Sequence, residues 1–125
     1  MKANISDSEM KVMEKIWEQG EMISVADVVA LLNEDGESWT HQTVGTFLKR
    51  LEGKGMVSAS KKGKSLYYFP LLTKEQFSAK EADQFLQSKF QGSLKSFLAA
   101  FSSEKKLSDD EMQDLKDWFD GINRK

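Results

Sequence analysis

The sequence predicts a mainly α protein that carries one small β-hairpin. Three observations lead there. Polar residues that can cap a helix recur along the 125 residues, each just ahead of an apolar stripe. The stripes repeat at three- and four-residue spacing, which places them on one face of a helix. Only the stretch from Met56 to Phe69 is built of short strand-forming runs around a Gly-containing turn.

The first helix is expected from Asp7 to Gln19. Ser6 and Glu9 form a capping box, Ile5 and Met10 a hydrophobic staple, and Gly20 a stop. Met10, Met13, Ile16 and Trp17 mark its inner face. Ile23-Ser24 and Asp27-Val28 open a second helix over Val25–Asn33, with Val28, Val29 and Leu32 inside. Trp39 and Thr40 open a third, His41–Lys54, stopped by Gly55. Its stripe is Val44, Phe47, Leu48 and Leu51. Met56–Ser60 and Ser65–Phe69 are the hairpin strands around Lys61-Lys62-Gly63-Lys64, and Pro70 suits a strand end because it cannot donate to a ladder.

The rest is helical. Leu72-Thr73 and Gln76-Phe77 open a fourth helix that reaches Gln91, with Phe77, Phe85, Leu86 and Phe90 as anchors. Gly92-Ser93 interrupts it. A fifth helix, Leu94–Ser102, carries Leu94, Phe97, Leu98 and Phe101. Leu107-Ser108 and Glu111-Met112 open a sixth, Asp109–Asp120, whose Met112, Leu115, Phe119 and Ile122 form a two-helix seam. The domain boundary is expected after Leu72, giving 1–72 and 73–125.

Composition removes several function classes. The absence of Cys excludes disulfides and thiolate metal sites. One His, no Gly-rich phosphate loop and no nucleophile–base pair argue against an enzyme, and no cofactor is expected. No signal sequence or membrane-spanning run is apparent, so a cytoplasmic protein is expected. The net charge of −2 is unevenly spread: residues 1–39 carry −6, residues 40–80 carry +6, and residues 81–125 carry −2. A nucleic-acid footprint needs only a local basic surface.

Two helices joined by a short turn and followed by a two-stranded wing make a winged helix-turn-helix. The second helix of such a pair docks in the major groove. Taking the apolar stripe of the third helix as its inner face, Gln42, Thr46, Lys49 and Gly53 point opposite, with Thr43 and Arg50 on one flank. Gln pairs with adenine, and Thr bonds a base edge or meets the thymine methyl. Thr40 caps the helix, leaving amides near a phosphate. Lys49 and Arg50 reach phosphate or guanine. Lys61, Lys62 and Lys64 straddle the adjacent backbone, and one of Tyr67 and Tyr68 touches a phosphate while the other faces the core. His41 reads as an exposed first-turn residue and Trp39 as a staple. An amphipathic helix with an ordinary solvated face is the plainer reading of the same residues, and a winged-helix module that binds protein instead of DNA is the alternative function.

Ile5-Ser6, Glu9, Met13 and Ile16-Trp17, the run Trp39-Thr40-His41-Gln42-Thr43-Val44-Gly45-Thr46 with Arg50-Leu51 and Lys54-Gly55, and the ending Tyr68-Phe69-Pro70 resemble the penicillinase/methicillin repressor (BlaI/MecI/CopY) family. The resemblance covers nearly the whole chain. It implies a dimeric repressor of antibiotic-resistance or cell-envelope stress genes. The N-terminal winged helix would bind a dyad-symmetric DNA operator and the C-terminal helices would form a homodimer. Phe90, Leu94, Phe97, Leu98 and Phe101, with Met112, Leu115, Phe119 and Ile122, are the dimerisation candidates. It also implies a membrane sensor protease that cleaves an Asn–Phe bond in the fifth helix. The matching pair here is Ala100-Phe101, where Phe is kept and Asn is replaced. The copper-responsive branch relies on C-terminal cysteines, which this chain lacks. Gly45 stands where relatives often carry a long polar side chain.

Overall fold

A computed structural model describes residues 4–123. The elements run in the order α1 (Asp7–Gln19), β1 (Ile23–Ser24), α2 (Val25–Glu34), α3 (His41–Gly53), β2 (Val57–Lys62), β3 (Ser65–Pro70), α4 (Lys74–Phe90), α5 (Leu94–Glu104) and α6 (Asp109–Asn123). Helix termini fall within a few residues of the expected ones, because the caps are local chemistry. Ser6, Ser24, Thr73 and Ser108 each accept the N3 amide of their helix while the N3 side chain returns to the cap amide.

The sheet has three strands in the order β1-β3-β2, all antiparallel. The sequence reading expected two. The sequence pattern places Ile23 and Ser24 only at the start of α2, and Ser24 does cap it. They also pair with Tyr68 and Tyr67 of β3. Two residues are too few to show strand periodicity, so this pairing is decided by the register of β3. The wing turns on Gly63, whose φ of +63° suits the first central position of a two-residue hairpin turn.

The chain forms two compact units. The first runs to Ala82 and the second starts at Asp83. In the first, α1, α2 and α3 enclose Val12, Met13, Ile16, Val28, Val44, Leu48 and Leu51. The sheet closes over them with Ile23, Val57 and Tyr68. Val12 is buried although the apolar spacing of α1 did not single it out. Phe47, expected in the α3 stripe, is only partly buried. Phe77 is fully buried against the first unit and sits 5.7 Å from Trp17, whose indole N–H donates to the Leu72 carbonyl at 3.0 Å. The first turn of α4 is therefore part of this unit, and the unit extends ten residues past the expected boundary.

Glu9 is the one buried charged residue among those described, at 2% exposure. Its Oε1 accepts from the Ser6 amide at 2.8 Å and from Lys54 Nζ at 2.6 Å, and Lys54 also donates to the Asn4 carbonyl at 2.6 Å. This ion pair joins the start of α1 to the residue that ends α3. Burial pushes the Glu9 carboxyl up. The Lys54 ammonium and the Ser6 donors outweigh it and hold the acid below the usual glutamate range. Because the folded pKa is the lower one, the unfolded chain takes up the proton first on acidification. The stabilisation is complete above the ordinary glutamate pKa and is lost as pH falls through the depressed folded value. Lys54→Met leaves a buried carboxylate short of a donor and should cost about 2 kcal/mol in urea unfolding at neutral pH. The difference between the variant and the parent chain should shrink on acidification below the ordinary glutamate range. A difference independent of pH would show that the pair is not the source.

Candidate nucleic-acid interface

The helix α3 is held from both ends and presented from its middle. At its start, Thr40 Oγ1 accepts the Thr43 amide at 3.1 Å and donates to Thr43 Oγ1 at 3.0 Å. The amides of His41 and Gln42, one turn too early for helix partners, donate to nothing among the described residues and stay available as donors. At its end, Gly55 adopts φ +77°, and the Gly55 and Met56 amides return to the Glu52 and Leu51 carbonyls. Burial of Val44, Leu48 and Leu51 then fixes the rotation of the helix about its axis. Gln42, Thr46, Lys49 and Arg50 are exposed, and Thr43 is partly so.

The outer face is more specific than the sequence indicated. The Thr46 hydroxyl donates to the Gln42 carbonyl at 3.0 Å, so its proton is committed to the helix. What Thr46 offers outward is its methyl group and oxygen lone pairs. Arg50 lies 5.9 Å from the Phe47 ring, which packs on Trp39 at 5.3 Å, and Lys11 lies 5.9 Å from the Trp39 ring. Phe47 is thus a half-exposed shelf for a guanidinium. Sequence reasoning assigned Phe47 to the core and passed over Lys11. The Phe47-to-Arg50 spacing of three residues is the signal that could have found the shelf.

In the wing, cross-strand register sorts the candidates. Tyr68 is buried at 2% exposure and pairs with Ala59 and Ile23. Tyr67, one residue earlier, belongs to the opposite face with Ser60 and Lys62. Lys62 and Tyr67 therefore share a face, Lys61 points to the other, and Lys64 sits in the turn. Lys61, Lys62 and Lys64 are all exposed.

Charge pairing distinguishes this surface from the lysines on and around α1. Lys11, Lys15, Lys54 and Lys74 each hold an acidic partner, with Lys15 bridging Glu18 and Asp35. Lys49, Arg50, Lys61, Lys62 and Lys64 form no ion pair among the described residues. A carboxylate beside any of them would compete with a phosphate. Among the described residues there is also no cluster of His, Asp and Glu that could hold a metal ion.

The second unit divides the apolar candidates into two groups. Phe90, Phe97 and Phe101 join Phe85 in one ring cluster, with centroids 5.6 Å apart for Phe90–Phe97 and 6.1 Å for Phe97–Phe101. Leu94, Leu98, Met112, Leu115 and Phe119 line an open apolar groove between α5 and α6. Neither α5 nor the described part of α6 buries a single side chain. Phe119 is 54% exposed, Ile122 44%, and Trp118, which the sequence reading did not select, 62%. Trp118 lies three residues after Leu115 and four before Ile122, the spacing that places it beside the seam. Ala100 and Phe101 are both exposed on α5.

Comparison with known proteins identifies the family. The sequence profile of the family described as "Penicillinase repressor" matches residues 5–121. The penicillinase repressor of Bacillus licheniformis is 30% identical over 111 residues, which are 89% of this chain and 85% of that protein. The methicillin resistance regulatory protein MecI of Staphylococcus aureus is 26% identical over 90% of this chain and 89% of its own. The solution structure of the DNA-binding domain of the repressor BlaI superimposes with a TM-score of 0.52 at 32% identity, covering 58% of this chain and 85% of that domain. With the profile spanning nearly the whole sequence, the chain belongs to the penicillinase repressor family.

Proposed function

We propose that this protein is a DNA-binding transcriptional repressor that acts as a homodimer, each copy laying α3 in the major groove of a dyad-symmetric operator. The observation that carries the reading is the exposed row Gln42-Thr46-Lys49 on α3, unpaired in charge and flanked by a basic wing. It supports a division of labour. Gln42 and Thr46 read base edges, while Lys49, Arg50, Lys62 and Lys64 grip phosphate, with the α3 first-turn amides and Tyr67 beside them. Lys61 serves the strand on the other side of the wing. Repression is steric: two recognition helices roughly 34 Å apart occupy successive grooves and block the promoter. The regulated genes are those of antibiotic resistance or envelope stress; the relatives named above are a penicillinase repressor and a methicillin resistance regulator.

The dimer reading is supported by the second unit. A row of leucines, Met112 and Phe119 left open to water along α5 and α6 is a contiguous apolar surface of the kind that marks an interaction site, and a second copy supplies the same row. A membrane sensor protease acting at Ala100–Phe101 is the proposed route to derepression. Position 100 lacks Asn, so recognition there would rest on Phe101 and on local unwinding of α5. No helix of the described residues is long and apolar enough to cross a membrane, and a cytoplasmic location belongs to the same proposal.

The deciding experiment is fluorescence anisotropy of the full chain on DNA from upstream of its own gene, against scrambled duplex and across salt. Sequence-preferring binding that weakens steeply with salt is expected. No preference would favour a protein-interaction module. Lys49→Ala and Lys62→Ala should weaken binding to every operator variant by a similar factor and reduce the salt slope by about 1 each. Gln42→Ala should instead change the preference among variants, and a uniform loss there would remove it from the base-reading set. Because the Thr46 hydroxyl is turned inward, Thr46→Val should keep the preference at its base pair and Thr46→Ser should relax it. In sedimentation, Leu98→Lys with Leu115→Lys should give monomers and lower operator affinity about a hundredfold or more.

A further inference from the structure

Gly45 has no evident use in the fold. It is the fifth of thirteen residues in α3, where glycine costs more than any residue except proline. Its φ lies outside the left-handed region, unlike Gly20, Gly55 and Gly63, so no turn requires it. No packing requires it either. Apart from its chain neighbours and the helix's own backbone, no heavy atom stands within 4 Å of where a Cβ would be. An alanine would fit and would stabilise the helix.

The position of the vacancy gives it meaning. At about 100° per residue, Gly45 lies roughly 60° to one side of Gln42, and Thr43 and Arg50 lie on the other side. It occupies the middle of the row His41-Gly45-Lys49, so the row dips there to bare main chain between two long side chains. The unpartnered amides of His41 and Gln42 open at the same end of the helix, a local supply of donors for an anion. If the central row faces the groove floor, a position on its flank faces a groove wall, which is sugar and phosphate.

We propose that Gly45 is a close-contact point at which the sugar–phosphate wall of the operator meets the main chain of α3. This rests on the DNA reading of α3 given above. Gly45 sets how deeply α3 can sit in the groove, and so positions Gln42 and Thr46 without reading a base.

The test uses the full-length chain and its Gly45→Ala and Gly45→Gln variants, measured by thermal unfolding and by anisotropy on the operator and on duplexes with single base-pair changes. Gly45→Ala should raise Tm by about 5 °C. It should weaken binding about tenfold, by the same factor for every duplex. Gly45→Gln should weaken it further. Unchanged or tighter binding by Gly45→Ala would overturn the proposal, as would a fall in Tm. Losses that differ among duplexes would also overturn it, since they would make Gly45 a base contact. If the unsubstituted chain bound no duplex preferentially, the DNA reading itself would fail, a result separate from any of these.

Discussion

The carboxylate of Glu9 serves two structures at once. As the third residue of α1 it completes the capping box with Ser6, and as a buried anion it receives the ammonium of Lys54. A buried charge is tolerable only when its acceptor sites are filled, so Glu9 requires both partners. The consequence is geometric. Lys54 is the residue on which α3 ends, and holding it against the start of α1 limits how far α3 can slide or turn. The apolar contacts of Val44, Leu48 and Leu51 set the same rotation but are non-directional. The ion pair adds direction, which a helix that must present one row of side chains outward needs.

From that anchor the outer surface follows by elimination. Residues of α3 not drawn inward include Gln42, Thr46, Lys49 and Arg50, and two of them are further constrained. Thr46 bonds its own helix, and Arg50 rests on Phe47. The wing is placed by pairing, with Tyr68 in the core and Tyr67 turned with Lys62 to the other side. The acidic residues of α1 and α2 neutralise the lysines near them and leave the cations of α3 and the wing open to a polyanion. A chain of net charge −2 can therefore carry a basic face, because its charges are segregated by element.

The second unit poses the opposite problem. The first unit buries its stripes, whereas α5 and α6 turn theirs to water. The ring cluster of Phe85, Phe90, Phe97 and Phe101 holds the end of α4 to α5 within one chain. Among the described residues nothing covers the leucine row beside it. The uncovered row is the physical ground on which a second copy is proposed.

Much was written into the sequence alone. Capping boxes at Ser6, Ser24, Thr73 and Ser108 are local chemistry, so the helices could be read without a structure, as could the wing and its Gly63 turn. The rotation of α3 was legible because Val44, Leu48 and Leu51 repeat at helical spacing. What only the tertiary structure decided depends on residues far apart in the chain. Glu9 and Lys54 are 45 positions apart. The strand Ile23–Ser24 exists only because β3 passes beside it. Which tyrosine is buried was fixed by register, since two adjacent aromatics in a strand look alike until the pairing is known. Phe77 joined the first unit because Trp17 and its neighbours were there to receive it. The open space around Gly45 could not be read at all, because a glycine carries no side chain to report its surroundings, and only the placement of everything near it shows that nothing is there.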